Sequence, residues 1–111
     1  MYEFNYHRPA SLDEAKKILA ANDEAKLLAG GMSLLPTMKM RLAQPSDLID
    51  LSGIGDLNGI SDSGDAIVVG AMTRHADVAS SETVRGSIPA LADLAEQIGD
   101  AQVRNRGTIG G

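Results

Sequence analysis

Leu27-Leu28-Ala29-Gly30-Gly31-Met32-Ser33-Leu34-Leu35-Pro36 decides how the chain is read. An apolar run runs into a glycine pair, then into residues suited to a first helical turn. The run reads as a short buried strand, the pair as a hinge. Glycine lacks a Cβ, so the backbone there can enter the left-handed region and a ligand can approach the main chain. For any other residue that region costs about 1–2 kcal/mol. Ser33 is a good N-cap residue, and Pro36 is tolerated in a first turn. A bend followed by a helix start leaves N–H groups pointing outward, which suits an anion such as phosphate. A tight strand-to-helix turn without any ligand would carry the same letters.

Outward from the hinge, the pattern predicts β-α-β-α-β. Phe4–His7 alternates loosely, as a strand does. Ser11-Leu12-Asp13-Glu14 is a capping box, and Leu12, Ala15, Ile18 and Leu19 make an apolar helical face. Lys26–Ala29 is the second strand, apolar enough to be covered on both faces. The hinge then lies at the C-terminal end of a parallel strand, where such sheets bind ligands. A helix over Ser33–Leu42, with Lys39 and Arg41 outward, and a third strand at Leu48–Leu51 complete residues 1–54.

From residue 55 the grammar changes. Ser61-Asp62-Ser63-Gly64-Asp65 is a turn between two apolar runs, predicting a hairpin. Thr73 is placed to cap a short helix, Arg74–Ala79, and Ser80-Ser81-Glu82 to cap another. Leu91, Leu94, Ala95 and Ile98 have helical spacing, with Gly99 as the left-handed stop. Gln102–Gly107 reads as a polar connector before Thr108-Ile109-Gly110-Gly111. Residues 55–111 thus form the start of an antiparallel α+β subdomain.

Composition narrows the chemistry. The 111 residues carry a formal net charge of −5 and no basic stripe, which disfavours nucleic-acid partners. With no cysteine, the chain has no thiol chemistry and no iron–sulfur ligation of its own. That composition is compatible with a cytoplasmic protein. No apolar run approaches transmembrane length. His7 and His75 lack ligand-spaced partners, so no metal site is expected. No serine sits in a nucleophile elbow, and Asp62 and Asp65 belong to a turn. Two glycine pairs remain, Gly30-Gly31 and Gly110-Gly111, neither matching a P-loop or a G-x-G-x-x-G dinucleotide fingerprint. One loop from each half could grip an elongated anion. Two unrelated turns, in an assembly module or a simple phosphate-ligand domain, would read the same way.

Longer motifs carry a resemblance. Ala29–Leu42 is similar to the first flavin-binding motif of the medium subunit of molybdenum hydroxylases, the aerobic carbon monoxide dehydrogenase type. Gln102–Gly111 resembles the second motif. Leu48–Leu51 and Val69–Ala76 fall in register between them, so the likeness covers nearly the whole chain. The resemblance implies a vanillyl-alcohol oxidase type FAD-binding fold of two α/β subdomains with FAD between them. Leu27, Leu28, Ala29, Gly30, Gly31, Met32, Ser33 and Leu34 would wrap the pyrophosphate with main-chain N–H groups. Thr108, Ile109, Gly110 and Gly111 would approach the diphosphate or flavin. Relatives often have a polar residue where Met32 stands, but main-chain contacts do not depend on it. Implied partners are a molybdopterin-containing large subunit and an iron–sulfur small subunit, with those cofactors held there. FAD would take electrons from the iron–sulfur subunit and pass them to an external acceptor, so no acid, base or nucleophile is assigned. The family continues past the second glycine pair. The chain is therefore expected to be an N-terminal fragment that lacks later FAD contacts, binds FAD weakly or not at all alone, is inactive alone, and has an exposed sheet edge.

Overall fold

A computed structural model describes residues 1–111, which divide into two compact units, Met1–Gly55 and Asp56–Gly111. In the first, β1 (Asn5–His7), α1 (Leu12–Ala21), β2 (Lys26–Leu28), α2 (Leu34–Lys39) and β3 (Asp47–Asp50) follow in order. The three strands are parallel with β3 in the centre, Tyr6 opposite Leu48 and Leu27 opposite Ile49.

The capping box forms with its return bond shifted by one residue, to Ala10 N–H rather than to that of the N-cap Ser11. Ser11 Oγ accepts from the Glu14 N–H at 3.2 Å, while the Glu14 carboxylate accepts from Ala10 N–H at 3.0 Å. Ala15 is the buried residue of α1; Leu12 and Leu19, expected on its apolar face, are exposed. The expectation of a doubly covered second strand also fails. Leu27 is 48% exposed, whereas Leu48 and Ile49 in β3 are 1% and 0% exposed. The reason is topological: β3 inserts between the other two strands and takes the sheltered place, leaving β2 an edge. β3 also brings Asp47 into the interior, where its carboxylate accepts from Ser46 Oγ at 2.7 Å and pairs with His7 Nε2 at 2.7 Å. The His7 hydrogen bond, followed by that from Ser46, holds the Asp47 carboxyl below its ordinary pKa.

Helix α2 ends in a Schellman motif: Arg41 N–H bonds Met38 O at 3.0 Å and Leu42 N–H bonds Thr37 O at 2.9 Å. The residue at the left-handed position, usually glycine, is Arg41 with φ +59°, its guanidinium 5.1 Å from the Tyr2 ring centroid.

The second unit holds an antiparallel hairpin, β4 (Ile60–Asp62) and β5 (Ile67–Val69), and four helices: α3 (His75–Ser80), α4 (Glu82–Ser87), α5 (Pro89–Glu96) and α6 (Ala101–Arg106). Asp62 Oδ1 accepts from Gly64 N–H at 2.8 Å, the turn role its sequence context predicts. Val78, Ala79, Val84, Ala92 and Ala95 form the core, with Ile60, Ile67, Val69 and Leu91 packed against it. Ala92 is buried in place of Leu94, which is 61% exposed. Positions 91, 92 and 95 share a helix face as readily as 91, 94 and 95, and alanine there lets α5 approach its neighbours closely. Ser81 caps α4 as expected, accepting from Val84 N–H at 3.2 Å. Gly99 stands at φ +50°. The expected connector at 102–107 is instead helix α6, started by Asp100, whose Oδ1 accepts from Val103 N–H at 3.0 Å.

Candidate functional site

The hinge at Ala29–Leu34 follows the C-terminal end of β2. Gly31, at φ +80°, is the left-handed member of the glycine pair. A Cβ there would lie 2.9 Å from Leu35 Cδ1 and 3.2 Å from Leu35 Cγ, so the position excludes a side chain twice over. Ser33 corrects one expectation: its backbone is already helical (φ −105°, ψ −46°) and its hydroxyl caps nothing. Its carbonyl accepts instead, from the Thr37 hydroxyl at 2.7 Å and the Thr37 N–H at 3.2 Å. Leu35 N–H reaches Gly31 O at 3.1 Å. The amides of Gly30, Gly31, Met32, Ser33 and Leu34 donate to no acceptor within the chain. Five consecutive N–H groups without an internal acceptor thus stand at a glycine bend that leads into a helix start, the kind of backbone that suits an anion.

The loop at Thr108–Gly111 is built differently. Its amides are largely committed: Ile109 N–H to Thr73 O at 2.9 Å, Gly110 N–H to Ala71 O at 2.8 Å, Gly111 N–H to Thr108 O at 3.3 Å. A Cβ on Gly110 would sit 2.6 Å from Ala71 Cβ and 2.8 Å from Ala71 O, so this glycine is required by close approach. The group left over is a side chain. Thr108 is 7% exposed, and its hydroxyl is buried with no hydrogen-bond partner in the chain. A buried hydroxyl without a partner costs about 1–3 kcal/mol. Because the hydroxyl is closed off from solvent, an external polar atom satisfies it only if the loop shifts to admit one.

Thr73 was expected to cap α3. Arg74 holds the cap position without a side-chain bond, and Thr73 is turned to Gly59, accepting its N–H at 3.0 Å and donating to its carbonyl at 3.1 Å. Arg104 donates from Nη1 to the carbonyls of Ile98 and Gly99 at 3.3 and 3.1 Å, tying down the turn between α5 and α6; Arg106 is exposed. Sequence reading misses the Asp100 cap, and it names Thr108 without the burial that leaves its hydroxyl orphaned. An aspartate three residues before Val103 could have signalled the first. Nothing local signals the second, because burial is a tertiary fact.

The fold is α/β, a parallel sheet in one unit and an antiparallel hairpin with helices in the other, and by the family match the chain belongs to a class of FAD-binding α/β proteins. Residues 2–111 match the family described as the FAD binding domain in molybdopterin dehydrogenase. Among individual relatives, the carbon monoxide dehydrogenase medium chain of Hydrogenophaga pseudoflava is 53% identical over 109 residues, covering 97% of this chain and 38% of that protein. The glyceraldehyde dehydrogenase medium chain of Sulfolobus acidocaldarius is 42% identical, covering 98% of this chain and 39% of that protein. Among solved structures, carbon monoxide dehydrogenase from Hydrogenophaga pseudoflava lacking the Mo-pyranopterin moiety superposes with a TM-score of 0.97 at 52% identity, covering 99% of this chain and 39% of that one. Quinoline 2-oxidoreductase from Pseudomonas putida 86 gives 0.95 at 41% identity, with the same coverage. The chain therefore spans about two-fifths of the length of these relatives. The residues present fit the cofactor: the nest offers donors to a diphosphate, and Thr108 offers a hydroxyl that lacks a partner.

Proposed function

We propose that this chain is the N-terminal, FAD-binding part of the medium subunit of a molybdenum-dependent hydroxylase or dehydrogenase, residues 1–54 and 55–111 serving as its two flavin-binding subdomains. In this reading Leu27–Leu34 wraps the pyrophosphate and Thr108–Gly111 contacts the diphosphate or flavin. Bound FAD supplies the redox chemistry, relaying electrons from an iron–sulfur small subunit, fed by a molybdopterin-containing large subunit, to an external acceptor. The chain's own residues bind and orient. The amides of Gly30–Leu34 supply fixed partial positive charge without a lysine or arginine, which suits a net negative chain binding an anion. The Thr108 hydroxyl exchanges an unsatisfied state for a hydrogen bond on binding.

The observation that carries the reading is the run of five unbonded amides at Gly31. Several relatives are named as medium chains or subunits of dehydrogenases or a hydroxylase, which supports the assembly with partner subunits. No helix is long and apolar enough to cross a membrane; as a separate part of the proposal, the location is cytoplasmic. Parallel titrations with FAD and ADP, followed by flavin fluorescence and by competition, test the reading. FAD is expected to bind more tightly than ADP, because the second loop engages the flavin half. Absence of FAD binding at millimolar concentration, both in this chain when folded and in a chain extended to the full length of its relatives, would overturn it.

A further inference from the structure

We infer that Thr73 is a positioning residue for the flavin site: its side chain pins the hairpin base while its carbonyl sets the register of the Thr108–Gly111 loop. The inference rests on the reading of that loop as part of the site. The segment from Gly70 to His75 runs between two partners. On one side, Gly70 N–H bonds Gly59 O at 2.8 Å and Met72 N–H bonds Leu57 O at 2.7 Å. On the other, Ala71 O and Thr73 O accept from Gly110 and Ile109, and His75 N–H bonds Gly107 O at 3.0 Å. Thr73 is the one residue that reaches both ways. Its hydroxyl accepts from Gly59 N–H and donates to Gly59 O, and its carbonyl holds Ile109.

The geometry makes the hydroxyl consequential. Thr73 is 1% exposed, so its hydroxyl exchanges no bond with solvent. Gly59 sits at φ +133°, a backbone region that glycine alone visits readily. The Thr73 hydroxyl holds both polar groups of that strained residue. Without it, the Gly70–Thr73 spine loses its side-chain anchor, and the two carbonyls that hold Ile109 and Gly110 are free to shift. Thr108 stands next to Ile109, and its unpartnered hydroxyl must be aimed to within a few tenths of an ångström to meet a ligand atom. Thr73 never touches the cofactor in this account. It acts through the loop.

Residue-resolved amide hydrogen exchange on the 111-residue chain tests this without cofactor. Thr73→Val keeps the shape and removes the hydroxyl; Thr73→Ser keeps the hydroxyl. In Thr73→Val, exchange at Ile109 and Gly110 is expected to accelerate about fivefold, the worth of one hydrogen bond, while core amides of α5 keep their wild-type rates. Thr73→Ser is expected to restore both loop amides. FAD affinity should follow the same order, about fivefold weaker in Thr73→Val and near wild type in Thr73→Ser. Unchanged exchange at Ile109 and Gly110, or a uniform rise across residues 56–111 that Thr73→Ser leaves in place, would overturn the inference. Thr108→Val separates it from the functional reading. If Thr108→Val and Thr73→Val both leave FAD affinity unchanged while the loop amides accelerate, the flavin assignment of this loop fails and the mechanical link stands.

Discussion

At the scale of single residues, two positions trade stability against binding in opposite ways. Gly31 at φ +80° accepts no side chain cheaply: left-handed backbone costs about 1–2 kcal/mol, and the Leu35 side chain lies in the path of a Cβ. Gly31→Val is therefore expected to close the amide nest, lowering FAD affinity at least tenfold while the helical circular dichroism is retained; unchanged affinity counts against the nest. Thr108 works the other way. Its buried hydroxyl is unsatisfied in the free chain, so Thr108→Val removes a destabilising group of similar shape. The expectation is a melting temperature equal to or above wild type together with FAD affinity weakened several-fold, since one hydrogen bond contributes about 1 kcal/mol. A drop in both quantities would mean the hydroxyl has an internal partner. The glycines were legible in sequence because chain geometry names them. The Thr108 hydroxyl is a candidate donor in the sequence, but that it lacks an internal partner depends on burial.

At the scale of elements, local signals were read well where they are self-contained and poorly where a neighbour decides. The capping box at Ser11 and Glu14, the Asp62 turn and the Ser81 cap each close within four residues, and all form. The strand at Lys26–Leu28 was misread as sheltered because nothing in those letters says that β3 enters between β1 and β2. Helix α6 was missed because Gln102–Arg106 is polar, and the short helix owes its start to Asp100 rather than to an apolar stripe. Thr73 was misassigned because a hydroxyl before a helix has two uses, and its tertiary partner Gly59 won. Helix α2 offers a direct check on element energetics. Arg41 occupies the left-handed position of its Schellman motif. Arg41→Gly relieves that strain, partly offset by the lost Tyr2 contact and by extra unfolded-state freedom. A rise in melting temperature of a few degrees is expected by calorimetry; a fall would place more weight on the contact between Arg41 and Tyr2.

The seam between β1 and β3 supplies a pH signature. The Asp47 carboxyl is held below its ordinary value by His7 and then Ser46. A carboxyl depressed in the folded state contributes stability above its unfolded pKa, about 3.9, and loses it as pH falls through the lower folded value. Acid unfolding of the wild type should therefore steepen below about pH 4, and Asp47→Asn should be less stable at pH 7 with a shallower acid dependence. Parallel acid titrations by circular dichroism check it, and identical curves for the two proteins would contradict it.

At the scale of the whole molecule, the proposed function asks each unit to supply a part of one site: amides without internal acceptors from residues 1–55 and a hydroxyl without an internal partner from the second unit. FAD is long, anionic at its diphosphate and polar elsewhere, and the chain's family is that of an FAD binding domain. The family's likeness was legible because two long motifs keep their order across the chain. The asymmetry between the loops was not, because which amides are already bonded depends on Ala71 and Thr73, remote in sequence. The most direct measurement is an FAD titration of the 111-residue chain followed by amide chemical shifts. Gly30–Leu34 and Thr108–Gly111 should move together, along one binding curve, with ADP moving the first group more than the second. Movement of one loop alone, or two curves with different midpoints, would contradict a single flavin nucleotide held by both.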